Sequence, residues 1–171
     1  MEILIVGGII VALMVYASTR IKQVAADAFE RETIDTDEFY IIKPEGFLHP
    51  LNVESEFAFY AYSKEFGKED AEEMRQAEIF ISVSDKNFGE VCDETKAGAE
   101  NVLSEEVSDA EKKCLIETET TIGNILVLEF DKISESENSN KVWRLKISVL
   151  KDFEEDYRER IDEIIESFRV K

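Results

Sequence analysis

Hydrophobic positions form one unbroken run at the N-terminus, followed by short runs that alternate or recur at helical spacing. Residues 3–17, ILIVGGIIVALMVYA, are uncharged and almost wholly apolar. At the α-helical rise of about 1.5 Å per residue this run spans roughly 22 Å, short of a hydrocarbon core of about 30 Å. A helix from Glu2 to Val24 reaches roughly 34 Å, because Ser18 and Thr19 can satisfy their hydroxyls on the backbone while Arg20 and Lys22 snorkel outward. The pattern therefore predicts a single membrane span built on Ile3, Leu4, Ile5, Val6, Ile9, Ile10, Val11, Leu13, Met14, Val15 and Tyr16. A cleaved signal peptide is the rival, since Val15-Tyr16-Ala17 places small residues where a peptidase wants them; the missing basic n-region ahead of the run favours the anchor. Arg20 and Lys22 are the first nearby basic side chains, and the positive-inside rule sets their flank, with the domain behind it, on the cytoplasmic side of a cell membrane. Gly8 and Ala12 have the small-xxx-small spacing that lets two membrane helices associate weakly.

Past the anchor, Ile21, Val24, Ala25, Ala28 and Phe29 continue at helical spacing, and charged residues from Glu30 to Glu38 then separate this helix from a domain. The boundary is set near Ile34, giving an anchor and juxtamembrane helix over 1–33 and an acidic domain over 34–171. FYIIKPEGF, residues 39–47, reads as a strand entering a tight turn. EFAFYAYSK, residues 56–64, is rich in aromatics and reads as a strand covered on both faces, with a short helix as the alternative. GKEDAEEMRQ, residues 67–76, is a charged connection with a helical turn, and AEIFISVS, residues 77–84, alternates as a strand. Asp85 is expected to cap a helix running to Leu103, with Phe88, Val91, Cys92, Thr95, Ala99, Val102 and Leu103 on one stripe. Three strands follow, 112–121, 124–133 and 141–149, joined by Ile122-Gly123 and by the polar loop SESENSN into an antiparallel meander. A last helix over 152–169 repeats Phe153, Tyr157, Ile161, Ile164, Ile165 and Phe168 toward the sheet. The order predicts an α+β fold, a mainly antiparallel sheet of about six strands packed by helices.

Composition changes the picture chiefly through charge. The 171 residues hold room for the anchor and one core, and a 44% hydrophobic, 10% aromatic content supplies that core. The net charge of −19 is little altered by removing the anchor, whose only charge before Arg20 is Glu2. Such a surface repels phosphate backbones and lacks the clustered Lys and Arg of a nucleic-acid binder. It suits solubility first, and cations or a basic protein patch second.

The strand-turn sequence YIIKPEGF, the hairpin after TTIGN and the closing IDEIIESFRV resemble the PsbP-like (Mog/PsbP) family. The family's early Pro-x-Gly-aromatic turn is matched by Pro44, Gly46 and Phe47, and its closing Ser-Phe by Ser167 and Phe168, so that the resemblance covers about residues 37–170. It implies an α/β/α sandwich engaged in binding and assembly, as in accessory subunits of photosynthetic complexes, a small-GTPase-binding protein and many anchored or secreted bacterial proteins. It transfers no catalytic residues. Many members are exported, against the orientation argued from Arg20 and Lys22.

Candidate chemistry is sparse. His49, the single histidine, lies between Leu48 and Pro50 with no nucleophile motif beside it and reads as structural. Cys92 and Cys114 do not have zinc spacing and read as buried free thiols, with a disulfide only if the domain is exported. The acidic runs 35–38, 69–73 and 154–156 lack the glycine turn and terminal Glu of a calcium loop and read as solvated faces. No catalytic, cofactor-binding or metal-binding residues are assigned, and no cofactor is expected. The sequence points to a non-enzymatic, membrane-tethered interaction or assembly module with a protein partner; the alternative is an exported accessory or ligand-binding domain.

Overall fold

Strict alternation along the middle of the chain dictates a sheet with two different faces, and a computed structural model shows how each is covered. The structure describes residues 13–20, 27–50, 56–108 and 110–171. The strands are β1 (Glu32–Asp35), β2 (Phe39–Lys43), β3 (Phe47–Leu48), β4 (Phe59–Ser63), β5 (Ala77–Ser84), β6 (Asn101–Ser108), β7 (Lys113–Ile122), β8 (Ile125–Glu135), β9 (Val142–Leu150) and β10 (Arg169–Val170). The helices are α1 (Phe88–Ala97) and α2 (Glu154–Ser167), with 3-10 turns at Glu69–Ala71 and Lys151–Phe153. A seven-stranded antiparallel sheet runs β3-β4-β5-β9-β8-β7-β6, and a three-stranded sheet runs β1-β2-β10.

The meander of β7, β8 and β9 and the strands β2, β4 and β5 stand where alternation places them. The inner face of the large sheet carries Phe59, Ala61, Ile79, Ile81, Leu128, Phe130, Trp143, Leu145, Ile147 and Val149. Tyr157, Ile161 and Ile164 of α2 close over it, together with Phe39 and Ile41 of β2, into one core. The quoted motifs are structural. Gly46 adopts φ 91, which a side chain would strain, and ends the Pro44-Glu45-Gly46 turn. Ser167 Oγ accepts from Ile42 N–H at 3.0 Å and donates to Ile164 O, while Phe168 is buried beside Phe39.

Several expectations are corrected. The main sheet has seven strands rather than about six, with a second sheet beside it. The helix after β5 is capped by Asn87, not Asp85: Asn87 Oδ1 accepts from Glu90 N–H at 2.9 Å and the Glu90 carboxylate accepts from Asn87 N–H. It ends at Ala97, and Val102 and Leu103 lie exposed on the edge strand β6 instead of on a helical stripe. The hairpin loop is Gly123-Asn124, one residue beyond the expected pair, between the partners Ile122 and Ile125. The charged stretch 30–38 contains β1, which pairs with β2.

Of the expected membrane-span residues, Ile3, Leu4, Ile5, Val6, Ile9, Ile10 and Val11 lie outside the described residues, as do Gly8, Ala12 and Lys22. Residues 13–20 are helical, with Leu13, Met14, Val15 and Tyr16 exposed and Thr19 Oγ1 donating to Val15 O at 2.8 Å. Among the described residues no helix is long and apolar enough to cross a membrane.

Candidate interaction surface

Because Phe59, Ala61, Ile79 and Ile81 face the core, period-2 geometry turns Tyr60, Tyr62 and Phe80 to the outer face. Tyr60 and Phe80 are direct cross-strand partners with rings stacked at 5.1 Å. Tyr62 lies 5.7 Å from Tyr60, and Phe57 5.0 Å from Phe80. The row ends on Arg75, whose guanidinium sits 4.3 Å from the Tyr62 ring centroid and 3.8 Å from that of Phe66. Arg75 also donates to Lys64 O at 2.9 Å and Ser63 O at 3.3 Å, and pairs with Phe66 in an isolated β-bridge. The result is a contiguous aromatic surface with its arginine fixed in place. Phe66 is 48% exposed, and Tyr60, Tyr62 and Phe80 are half-buried. Tyr60 donates to Glu78 Oε1 at 2.6 Å; burial, and then that carboxylate, push its phenol well above its usual range.

Across β9 and β8 the same face becomes polar. Lys146 pairs with Glu129 at 2.6 Å and Arg144 Nε with Asp131 Oδ1 at 2.7 Å. Asp131 is fully buried and its Oδ2 has no hydrogen-bond partner; burial pushes its carboxyl up, and Arg144 only partly opposes this. Farther on, α1 covers Cys114, Ile116, Ile133 and Val142 with Phe88, Val91 and Cys92. This separate small cluster, the ion-pair belt and the aromatic row divide the outer face into three zones.

The aromatic zone adjoins the segment that leads into the domain. Lys43 is buried, with its Nζ donating to Phe47 O at 2.8 Å, Glu30 O at 2.5 Å and Ala28 O at 3.4 Å. Burial lowers its pKa more than nearby Glu32 raises it. Gly46 N–H donates to Phe29 O, and Lys64 Nζ stands 5.9 Å over the Phe29 ring. Residues 28–30 are thus fastened to the β2–β3 turn beside Lys64, whose carbonyl holds Arg75.

The remaining candidates are placed as follows. His49 Nδ1 bonds to Tyr60 O at 2.7 Å and its ring stacks on Phe59 at 4.6 Å, a structural position. Cys92 and Cys114 are free and buried, and both belong to the small cluster under α1. Asp35 pairs with Lys171, and Glu154, Glu155 and Asp156 occupy the first turn of α2, where the helix dipole favours them. Among the described residues no three His, Cys, Asp or Glu side chains are grouped so as to hold a metal ion. A cavity of about 750 Å³ near the end of α2 is lined by Lys113, Lys132, Glu135, Glu166 and Arg169 with their neighbours. Lys132 spends its donors on Ile165 O at 2.6 Å and Phe168 O at 2.8 Å, and burial lowers its pKa to about 8. Sequence reasoning saw the aromatic enrichment of residues 56–64 but drew no surface from it. Arg75, in the charged connection 67–76, and Phe66, just before it, carried no signal of their own.

No family model matches the chain, and no curated protein matches it by sequence. Its fold does match solved structures. The solution structure of CyanoP, the cyanobacterial PsbP of Synechocystis sp. PCC 6803, aligns at 12% identity and a TM-score of 0.52, covering 83% of this chain and 92% of that one. LpqN of Mycobacterium tuberculosis, involved in cell envelope biogenesis, aligns at 8% identity and a TM-score of 0.57, covering 82% and 90%. The Ran-binding protein Mog1p of Saccharomyces cerevisiae aligns at 14% and 0.54, covering 83% and 96%. The chain has the PsbP-like/Mog1 fold.

Proposed function

We propose that this chain is a non-enzymatic protein-interaction module, tethered to a membrane by its N-terminal apolar run, that docks a basic partner segment on the aromatic surface of β4 and β5. The observation that carries the reading is the row Phe57, Phe80, Tyr60, Tyr62, Arg75 and Phe66. Aromatic and arginine side chains dominate binding energy at interfaces, and rings stacked in place lose little entropy on binding. The partner's chemistry follows from charge. A net charge of −19 steers basic surfaces inward, and the half-buried aromatic rings beside Glu78 suit Lys or Arg through cation–π contact on the sides they leave to solvent. Arg75 is already committed to Tyr62, Phe66 and two carbonyls, so it frames the surface rather than reaching for an anion.

The tether rests on residues 3–17, and the positive-inside rule with Arg20 and Lys22 directs the domain to the cytoplasmic side. Fastening residues 28–30 beside Lys64 would then set the aromatic surface near the bilayer, where tethering raises effective concentration for other membrane-bound proteins. The likeness to a Ran-binding protein is compatible with a protein partner and does not name one.

The test is site-specific photocrosslinking in intact cells, with the photoreactive residue at position 62 or, as a control face, at position 137. The reading expects one basic protein captured from position 62 and not from 137, with capture reduced at least tenfold by a Tyr60→Ala, Phe80→Ala double change that leaves the domain folded. Equal capture from both positions, or capture indifferent to the double change, would refute the surface.

A further inference from the structure

We infer that Cys92 and Cys114 are a redox-convertible pair, two thiols placed so that exchange with a disulfide oxidant closes an intramolecular bond stapling α1 to β7. The geometry comes from two unrelated elements. Cys92 lies on the stripe of α1 with Phe88, Val91 and Thr95, and Cys114 is paired in β7 with Val107 and Ile133. Period-2 alternation sends Cys114, Ile116 and Ile133 to the outer face, which is the face α1 covers. Both thiols thus lie buried in one small cluster between α1 and the sheet, and neither is joined to another cysteine.

That cluster of seven buried residues is separate from the main core, so a bond there ties α1 to the sheet through a small apolar contact. It would also close residues 92–114 into a loop holding the whole of β6, an edge strand exposed along its length. A constraint of that loop size stabilises chiefly by restricting the unfolded chain.

The chemistry balances as ordinary thiol–disulfide exchange. Cys92, one helical turn from Lys96, attacks a sulfur of oxidised glutathione and releases one glutathione thiolate; the Cys114 thiolate then attacks Cys92 Sγ and expels the second. The protein loses two protons and two electrons, and one glutathione disulfide becomes two thiols. Burial pushes both protein thiols up, Cys114 to about 12, while the neighbouring Cys114 thiol and then Lys96 oppose the rise at Cys92. Cys92 is therefore the attacking thiol, and the exchange runs through states in which α1 lifts from the sheet or before it docks.

The experiment refolds the full chain in detergent with oxidised and reduced glutathione, then reads intact mass, non-reducing peptide maps and melting temperature. The expected product is a monomer lighter by two hydrogens, with a Cys92–Cys114 cross-linked peptide and a melting temperature raised by about 5–10 °C. Cys114→Val keeps the buried site apolar and should trap a stable mixed glutathione disulfide on Cys92 with no rise in melting temperature. Intermolecular dimers as the main product, a mixed disulfide persisting in the unmutated chain, or a cross-link that lowers the melting temperature would each overturn the inference.

Discussion

Replacing Arg75 by alanine tests whether the aromatic surface is a built structure or a set of rings that happen to lie together. Two stacks, at 4.3 and 3.8 Å, contribute about 0.5–1 kcal/mol each at a partly exposed site. The hydrogen bond to Lys64 O at 2.9 Å adds about 1 kcal/mol, and the longer one to Ser63 O adds less. Against this, alanine recovers about 1 kcal/mol of side-chain entropy that a fixed arginine gives up. The net loss expected for Arg75→Ala is about 1.5–2 kcal/mol, a fall in melting temperature of about 3–8 °C for a chain of this size. Arg75→Lys keeps the charge but not the planar stack, and should still lose more than half of that amount. Urea unfolding is the assay, with an unchanged m-value showing that the denatured state is not the cause. A loss below about 0.5 kcal/mol for the alanine variant would refute the claim that stacking fixes Arg75.

Two further outcomes follow from the core and from the end of α2. Ile161→Ala removes a fully buried side chain from the layer between α2 and the sheet, and should cost about 2–5 kcal/mol in the same urea assay. Lys132, with its pKa lowered to about 8 by burial, binds fewer protons folded than unfolded between that value and its ordinary 10.5. Its contribution is therefore fully present above the unfolded value and is lost as pH falls through the folded one. The stability of the unmutated chain relative to Lys132→Met should rise from pH 7.5 to 10.5, and a flat difference would refute the shift.

What the sequence disclosed follows from how each element is paid for in burial. Strands β5, β8 and β9 pack one face on the main core, so Leu145 and Ile147 alternate with Arg144, Lys146 and Ser148, and Ile79 and Ile81 with Glu78, Phe80 and Ser82, a period readable at a glance. Strand β6 packs almost nothing: its eight residues are exposed or nearly so, and a register shift between Val102 and Ser104 breaks what alternation remains. Its Val102 and Leu103 therefore continued the helical stripe of α1 on paper. The capping shift from Asp85 to Asn87 has a similar origin, since both residues can cap and only the carboxylate of Glu90, reaching back to Asn87, decides between them. Strand β1 hides in a charged stretch because it is held by its pairing with β2 rather than by burial. On the surface, aromatic enrichment in 56–64 was visible, whereas Arg75 joins those rings only through tertiary contact.

The same division explains how a fold can persist at 8–14% identity. The turn at Gly46, the Ser167 hydroxyl on Ile42 N–H and the buried Phe168 fix the ends of the sandwich, and the inner face needs only apolar side chains of suitable size. The inner-face side chains point away from the outer face of β4 and β5, so on the proposed reading recognition there can change without disturbing the core. Lys43 links the two requirements. Its ammonium is held by carbonyls of residues 28, 30 and 47, which fastens residues 28–30 to the turn next to Lys64. On the proposed reading, a buried lysine in a structural turn is what aims the docking face, and partner choice rests with Tyr62, Phe66 and their neighbours, which the fold itself does not require.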